Sequence, residues 1–234
     1  MDIYNEIKTI YLFSELDDEA LSLVANHSSI KNINKGEIIF FDSEPYLGFY
    51  GVLEGSVKIY KISKDGKEHI LHFINIGNTF AEVPLFENLG EVDIDLAYPA
   101  NAMALEDDTK VILFHRDCII TLLEKDRRLC FKMLNSISKR LRFLNKHIEE
   151  VTLKDVTKRL AGYILLEYNK NQLHSNNEPL VHLDISKYDL SCYLGTITET
   201  VSRTFRKLQD DSILSVNGRN IIIKDISRLK EIAR

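Results

Sequence analysis

Only three cysteines and four prolines occur in 234 residues, with ten glycines. The cysteines, at 118, 130 and 192, form an odd, scattered set without a C-x-x-C. Neither a disulfide framework nor a zinc ribbon is therefore expected, and a reducing cytoplasm is the expected setting. So little proline and glycine, beside 44% hydrophobic and 28% charged residues, excludes disordered, collagen-like and mucin-like chains. No apolar run approaches the roughly 18 residues of a membrane span. The opening Met1-Asp2-Ile3-Tyr4-Asn5-Glu6 is acidic and has no basic n-region, so no secretory signal peptide is expected. What remains is a globular chain of one or two domains at roughly 100–200 residues each.

A net charge of −5 does not advertise a nucleic-acid binder, but it is unevenly spread. Residues 1–151 carry 17 Lys/Arg against 25 Asp/Glu, a balance of −8, and residues 152–234 carry 13 against 10, or +3. An asymmetry of this kind hints at different partners for the two halves, and it needs a motif to give it meaning.

Three regions follow along the chain. Residues 32–115 read as short strands. Gly55-Ser56-Val57-Lys58-Ile59-Tyr60-Lys61-Ile62 alternates, the turn Lys64-Asp65-Gly66-Lys67 follows, and then His69-Ile70-Leu71-His72-Phe73-Ile74. Gly55, Gly66 and Gly77 recur at a spacing of 11, as in a small all-β barrel or sandwich. Gly36–Phe41 and Val111–Phe114 add strands. An amphipathic helix, Asp17 to His27, precedes them with Leu16, Ala20, Leu23 and Val24 on one side.

The second region is the most regular. Cys130, Leu134, Ile137, Leu141, Leu144, Ile148 and Val151 follow at steps of 4, 3, 4, 3, 4 and 3. That is an a/d seam over three heptads, the signature of a parallel dimer helix. The intervening Lys132, Lys139, Arg140, Arg142, Lys146, Glu149 and Glu150 are solvent-type residues; Met133 and Phe143 widen the apolar stripe.

The third region begins with a helix carrying Val156, Leu160, Ile164 and Leu165 on one face. A polar loop follows, from Asn169-Lys170-Asn171-Gln172 through Ser175–Pro179, and then a short strand, Leu180–Asp184. Lys187–Leu208 next reads as helix, glycine turn at Gly195, helix, with Leu190, Leu194, Val201, Phe205 and Leu208 as the apolar positions joining two crossed helices. On the second helix Glu199, Ser202, Arg203 and Arg206 share the opposite face. Glu199 suits a cytosine amine, Arg203 the paired acceptors of guanine, and Ser202 a base edge or thymine methyl. Val216–Ile223 forms a hairpin around Asn217-Gly218, where a wing belongs.

These residues resemble the CRP/FNR transcription regulators over nearly the whole chain. Glu199-Thr200-Val201-Ser202-Arg203 is similar to the family's E-T-x-S/G-R recognition signature, closer to the FNR version. Asp155-Val156-Thr157-Lys158-Arg159-Leu160-Ala161 resembles its D-V-x-x-R-L/I-A stretch. Gly77-Asn78-Thr79-Phe80-Ala81-Glu82 resembles G-x-x-F-G-E, with Ala81 where Gly is usual. Ile197 stands where a capping Ser or Thr often precedes the recognition helix, leaving Thr196 or Thr198 to supply the cap. The resemblance implies an α+β chain: a jelly-roll-like β-roll of the cyclic-nucleotide-binding type (1–118), a dimerisation helix (119–152) and a winged helix-turn-helix (153–234). It implies a non-enzymatic homodimer on palindromic promoter DNA, with half-sites related to TTGA or TGTGA, and RNA polymerase as a further partner. The implied DNA contacts are Thr198, Glu199, Ser202, Arg203, Arg206, Lys207 and Arg219.

The effector site departs from the family. An Arg-Ser or Arg-Thr pair holds the cyclic nucleotide phosphate there, and here Tyr98-Pro99 occupies that place. No Lys or Arg occurs between Lys67 and Lys110, whereas Glu82, Glu87, Glu91, Asp93 and Asp95 do. Where a Thr-Ser pair touches the base, Leu144-Asn145 stands. Cyclic AMP is therefore not the expected effector. An FNR-type iron–sulfur cluster needs four thiolates, so it is excluded for a single chain. Haem stays open. Tyr98-Pro99-Ala100-Asn101-Ala102 resembles subgroups that sense nitric oxide, some through haem, and His72 falls on a strand position that faces the pocket. A partly exposed strand histidine is the plainer reading of His72. Met103 is a weaker candidate ligand, and so is His69, expected on the opposite strand face from His72. With that disposition the two histidines could not serve a cupin-type metal site. The cysteines could sense oxidants, but nothing beside them argues for a lowered pKa; Cys130 and Cys192 read as core. A regulator with an atypical pocket for a cyclic nucleotide or other small ligand is the alternative. A cyclic-nucleotide module without DNA binding is opposed by the Glu199–Arg203 helix and the Asn217-Gly218 turn.

Overall fold

Along Thr109–His115, Val111 and Leu113 enter one apolar cluster while Ile112 and Phe114 enter another. A strand buried on both faces needs cover on both, and the first part of the chain supplies it. The computed structural model describes residues 3–87, 96–172 and 180–234. It divides into two compact units, Met1–Leu141 and Arg142–Arg234.

The first unit runs α1 (Ile3–Thr9), a 3-10 turn (Tyr11–Phe13), α2 (Asp18–Asn26), β1 (Ser28–Ile33), β2 (Ile38–Phe40), β3 (Gly48–Glu54) and β4 (Ser56–Ile62). It continues with β5 (Glu68–Asn75), β6 (Thr79–Phe80), α3 (Val83–Glu87), β7 (Asn101–Ala104), β8 (Thr109–His115) and α4 (Arg116–Lys125). The long α5 (Arg127–Leu153) begins in it and ends in the second unit. Two antiparallel four-stranded sheets, ordered β1-β8-β3-β6 and β2-β7-β4-β5, share a core of Phe40, Tyr50, Val57, Ile59, Phe80 and Val111. Ile7, Phe13, Leu21, Ile119, Leu122 and Met133 cover the far side of β3 and β8. Asp17 caps α2 by accepting from the Ala20 N–H at 2.9 Å. Leu21, which the expected stripe omits, is the most deeply buried residue of that helix together with Val24.

Gly55, Gly66 and Gly77 all have φ between 76° and 80°, the left-handed turn conformation that glycine adopts without strain. A bulge in β5 alters one expectation. His72 pairs with Ile59, but the register then shifts, so that Ile70 pairs with Tyr60 and His69 with Lys61. The extra residue resets the alternation. His69 and His72 therefore oppose Ile59 and Lys61 on one face, not on opposite faces as a regular strand would have them.

The expected single helix over 119–152 is two. Asp126 ends α4, and its carboxylate accepts the Arg128 N–H at 2.8 Å. A side chain that satisfies the first free amide starts a new helix. Two residues taken as solvent-type on α5 are in fact partnered. Lys132 meets Glu15 at 3.0 Å, and Arg140 meets Glu82 at 2.6 Å.

After the end of α5 the second unit runs α6 (Val156–Gln172), β9 (Leu180–His182), α7 (Lys187–Tyr193), α8 (Thr198–Asp210), β10 (Leu214–Asn217), β11 (Asn220–Ile223) and α9 (Ile226–Ala233). Asp155 caps α6 by accepting the Lys158 N–H at 2.9 Å. Asn169–Gln172, expected in a loop, continue α6; Ser175–Pro179 lie outside the described residues. α6 packs on α8, α9 and β9, with Leu160, Ala161 and Ile164 fully buried. The sheet order is β10-β11-β9, antiparallel throughout.

Candidate nucleic-acid interface and effector site

The two helices α7 and α8 meet through the residues that periodicity selects. Leu190, Leu194, Val201, Phe205 and Leu208 are all buried. Gly195, at φ +63°, turns the chain between them. Ser186 caps α7 by accepting from the Asp189 N–H. α8 has Ile197 at its N-cap and no side-chain cap. Neither threonine supplies one: the Thr198 hydroxyl lies 3.2 Å from that of Ser191, which fastens the start of α8 to α7.

Burial of one face leaves the other in water. Glu199, Ser202, Arg203, Arg206 and Lys207 are exposed and Thr198 is half-buried. Arg203 and Glu199 form an i,i+4 ion pair at 3.2 Å, about 70% exposed on both sides. A pair so exposed stabilises the helix by only about 0.2–0.5 kcal/mol, so both side chains are easily released to base edges. Arg219 lies exposed at the tip of the β10–β11 hairpin. Asn217 pairs with Asn220, so the turn residues are Gly218-Arg219 rather than Asn217-Gly218. Among them only Gly218 has positive φ, at 62°; this is the pattern of a type II′ turn, with glycine first.

The proposed effector residues fall in different surroundings. Tyr98 is buried and stacks on Phe40 with ring centroids 3.8 Å apart. Its hydroxyl donates to the Gly48 carbonyl at 2.9 Å. Burial raises the pKa of the Tyr98 phenol, as it does those of Tyr46 and Tyr50 beside it. The Tyr98 hydroxyl is thus neutral and already engaged with a carbonyl. Glu82 is buried, and the Arg140 guanidinium spans its carboxylate and the Thr79 carbonyl, each at 2.6 Å. Ala81, the departure from the glycine pattern, has φ +65°, which explains why glycine is usual there. Glu87 is exposed; Glu91, Asp93 and Asp95 lie outside the described residues.

His72 is half-buried opposite Ile59, whereas Met103 pairs with Lys58 on the next register position. Ile59 and Lys58 point to opposite faces of β4, so His72 and Met103 do not converge on one ligand. Among the described residues no cluster of three or more His, Cys, Asp or Glu could hold a metal ion. Leu144, half-buried, and Asn145, exposed, belong to the second unit. Cys118 and Cys192 are buried; Cys130, expected in the core, is only half-buried. Burial raises the Cys118 thiol pKa, the reverse of what a reactive thiolate needs.

Along the seam of α5, Leu134, Leu141 and Ile148 are 58–60% exposed. Ile137 is also exposed, and Cys130, Leu144 and Val151 are half-buried. Arg140, which holds Glu82, is a residue that spacing did not single out. A charged residue between seam positions looks the same whether it meets water or a carboxylate.

A β-roll followed by a long helix and a winged helix-turn-helix with a basic, exposed second helix defines a DNA-binding regulator. A cyclic nucleotide-binding domain matches residues 30–126, and a Crp-like helix-turn-helix domain matches residues 158–232. The anaerobic regulatory protein of Pasteurella multocida is 28% identical over 87% of this chain and 71% of its own. The cyclic AMP receptor protein of Thermus thermophilus is 25% identical over 95% and 96%. Among solved structures, FixK2 from Bradyrhizobium japonicum superposes with a TM-score of 0.73 at 25% identity, covering 88% of this chain and 98% of that one. The chain belongs to the CRP/FNR family of transcription regulators. It is not an enzyme, and no helix among the described residues is long and apolar enough to cross a membrane.

Proposed function

We propose that the protein acts as a homodimer that reads a palindromic promoter site in the cytoplasm, and that its effector is not cyclic AMP. The observation that carries the first part is the exposed face of α8. Two-fold symmetry would set two such helices about 34 Å apart, one turn of DNA, in successive major grooves. Arg203 reads the guanine of each half-site and Glu199 the cytosine paired to a neighbouring guanine; Ser202 and Thr198 touch the adjacent bases or backbone. Arg206, Lys207 and Arg219 hold phosphates. RNA polymerase is the partner that the family resemblance adds. Selection from random oligonucleotides tests base reading. Wild type should enrich a palindrome, and Arg203→Ala should lose about 1–3 kcal/mol per half-site and relax the preference at one guanine. Lys207→Ala should weaken all sequences alike and flatten the salt dependence by about one unit. Equal enrichment of one motif by wild type and Arg203→Ala would remove Arg203 from base reading.

The second part rests on Tyr98. Its neutral hydroxyl is spent on the Gly48 carbonyl, and the Arg140 cation is neutralised by Glu82. Calorimetry should detect no cyclic AMP binding at micromolar concentration; a saturable isotherm there overturns the reading. A redox or nitric-oxide signal through haem is the alternative, and His72 is the residue that would ligate the iron. Support for it is confined to the half-buried, inward register of His72 opposite Ile59. A Soret band on adding haem to the purified protein, lost in His72→Ala, is its signature.

A further inference from the structure

The second unit contains a cavity that base reading does not use. It has a volume of about 80 Å³ and lies between the last turns of α5, the first half of α6 and the end of α7. Aromatic rings form much of its wall. Tyr193 stacks on His147 with centroids 4.6 Å apart, and Phe143 lies parallel to His147 at 6.3 Å. Tyr163 tilts against Tyr193 at 5.6 Å. Burial raises both phenol pKa values, so these two rings stay uncharged.

Arg159, Lys146 and Glu150 are the charged residues of this otherwise largely apolar wall. One Nη of Arg159 donates to the Val151 carbonyl at 3.3 Å, while its Nε is buried without an acceptor. The nearby carboxylates are otherwise engaged: Glu150 lies 3.8 Å from Lys154, and Asp155 accepts the Lys158 N–H. A buried N–H of a charged group without a partner is costly, and an anion entering the cavity would relieve it. Gly162 is a second, independent sign. It sits inside α6, where glycine costs about 1 kcal/mol relative to alanine. No close approach explains it, because a Cβ there would meet nothing within 4 Å. Gly162 borders the cavity, so its missing side chain is part of the open space.

We propose that this cavity binds a small planar ring bearing an anionic group, an aromatic carboxylate in its simplest form. The ring packs among Tyr193, His147 and Tyr163, and the anion takes the free Nε–H of Arg159. The volume suits a single ring with one edge in the mouth and is too small for a nucleotide. Occupancy would bear on the reading helix. A Cβ on Gly195, at the turn before α8, would lie 3.6 Å from the Arg159 Nη and 3.5 Å from Val151, so these two side chains underlie that turn.

Benzoate is the probe, followed by saturation-transfer NMR and titration on the full chain, with benzyl alcohol as the uncharged ring. Benzoate should bind saturably and more tightly than benzyl alcohol. Arg159→Gln should weaken it about tenfold, as for one charge-assisted hydrogen bond. Gly162→Leu should abolish it while circular dichroism and promoter-DNA binding persist, because leucine is the better helix former and its Cβ meets nothing within 4 Å. Absence of saturable benzoate binding to wild type overturns the proposal, and so does undiminished binding to Gly162→Leu. These readouts do not depend on which DNA sequence is read, so they fail or succeed independently of the promoter reading.

Discussion

At the scale of single residues, the contacts that bind the first unit together are made by side chains whose partners lie far away in the chain. Arg140 and Glu82 are 58 positions apart, and the Glu82 side chain is 6% exposed. Removing one partner of a buried pair leaves the other charge without compensation, which typically costs 3–5 kcal/mol. Arg140 is itself 23% exposed, so solvent screening puts Arg140→Ala near the lower end, at about 3 kcal/mol. The variant also strips the Thr79 carbonyl of its donor. Adding Glu82→Gln should restore at least about 1 kcal/mol, because a neutral amide is cheaper to bury than a carboxylate. Urea denaturation of the four proteins in this cycle measures the coupling. Arg140→Ala within about 0.5 kcal/mol of wild type, the range of an ordinary surface change, would mean that the pair is solvated in solution.

At the scale of elements, periodicity carries most of the reading and fails where one residue alters the backbone. The five apolar positions of α7 and α8 are all buried because an i, i+3, i+4 stripe admits one packing face. The alternation of β4 is likewise legible, with Val57 and Ile59 both in the core, but that of β5 is not. A bulge is set by sheet curvature and cross-strand pairing, and it moves His69 to the face of His72. The division of α4 from α5 rests on Asp126, whose capping role depends on a backbone angle that spacing does not reveal. The departure at Ile197 is the reverse case: the missing cap was visible in the sequence, and α8 does lack one. Ile197 is 60% exposed, so replacing it gives up little burial. Ile197→Ser should supply an oxygen to the Glu199 amide and stabilise the second unit by about 1 kcal/mol. A melting temperature at or below that of wild type would show that the Thr198–Ser191 contact already holds the end of α8.

At the scale of the whole molecule, the regular feature with no partner among the described residues is the seam of α5. Leu134, Leu141 and Ile148 expose more than half their surface at seven-residue intervals, while Leu129 and Met133 on the other side of the same helix are buried in the first unit. One helix thus has an occupied apolar face and a vacant one, and the heptad spacing of the vacant face matches a second copy of itself. Leu141 lies mid-seam and exposed, so Leu141→Glu should leave each chain folded. In the dimer it would lose two leucine contacts, each of roughly 2–5 kcal/mol, and set two like charges against each other. Sedimentation velocity should then show monomers at concentrations where wild type is dimeric. Affinity for a full palindrome should fall toward that for a half-site, since linked reading heads no longer share an effective concentration. Arg142→Glu, also exposed but off the seam, is the control for added charge alone and should remain dimeric. If Leu141→Glu sediments as wild type does, the second copy does not cover this face, and the palindrome must be read by another arrangement of the two chains.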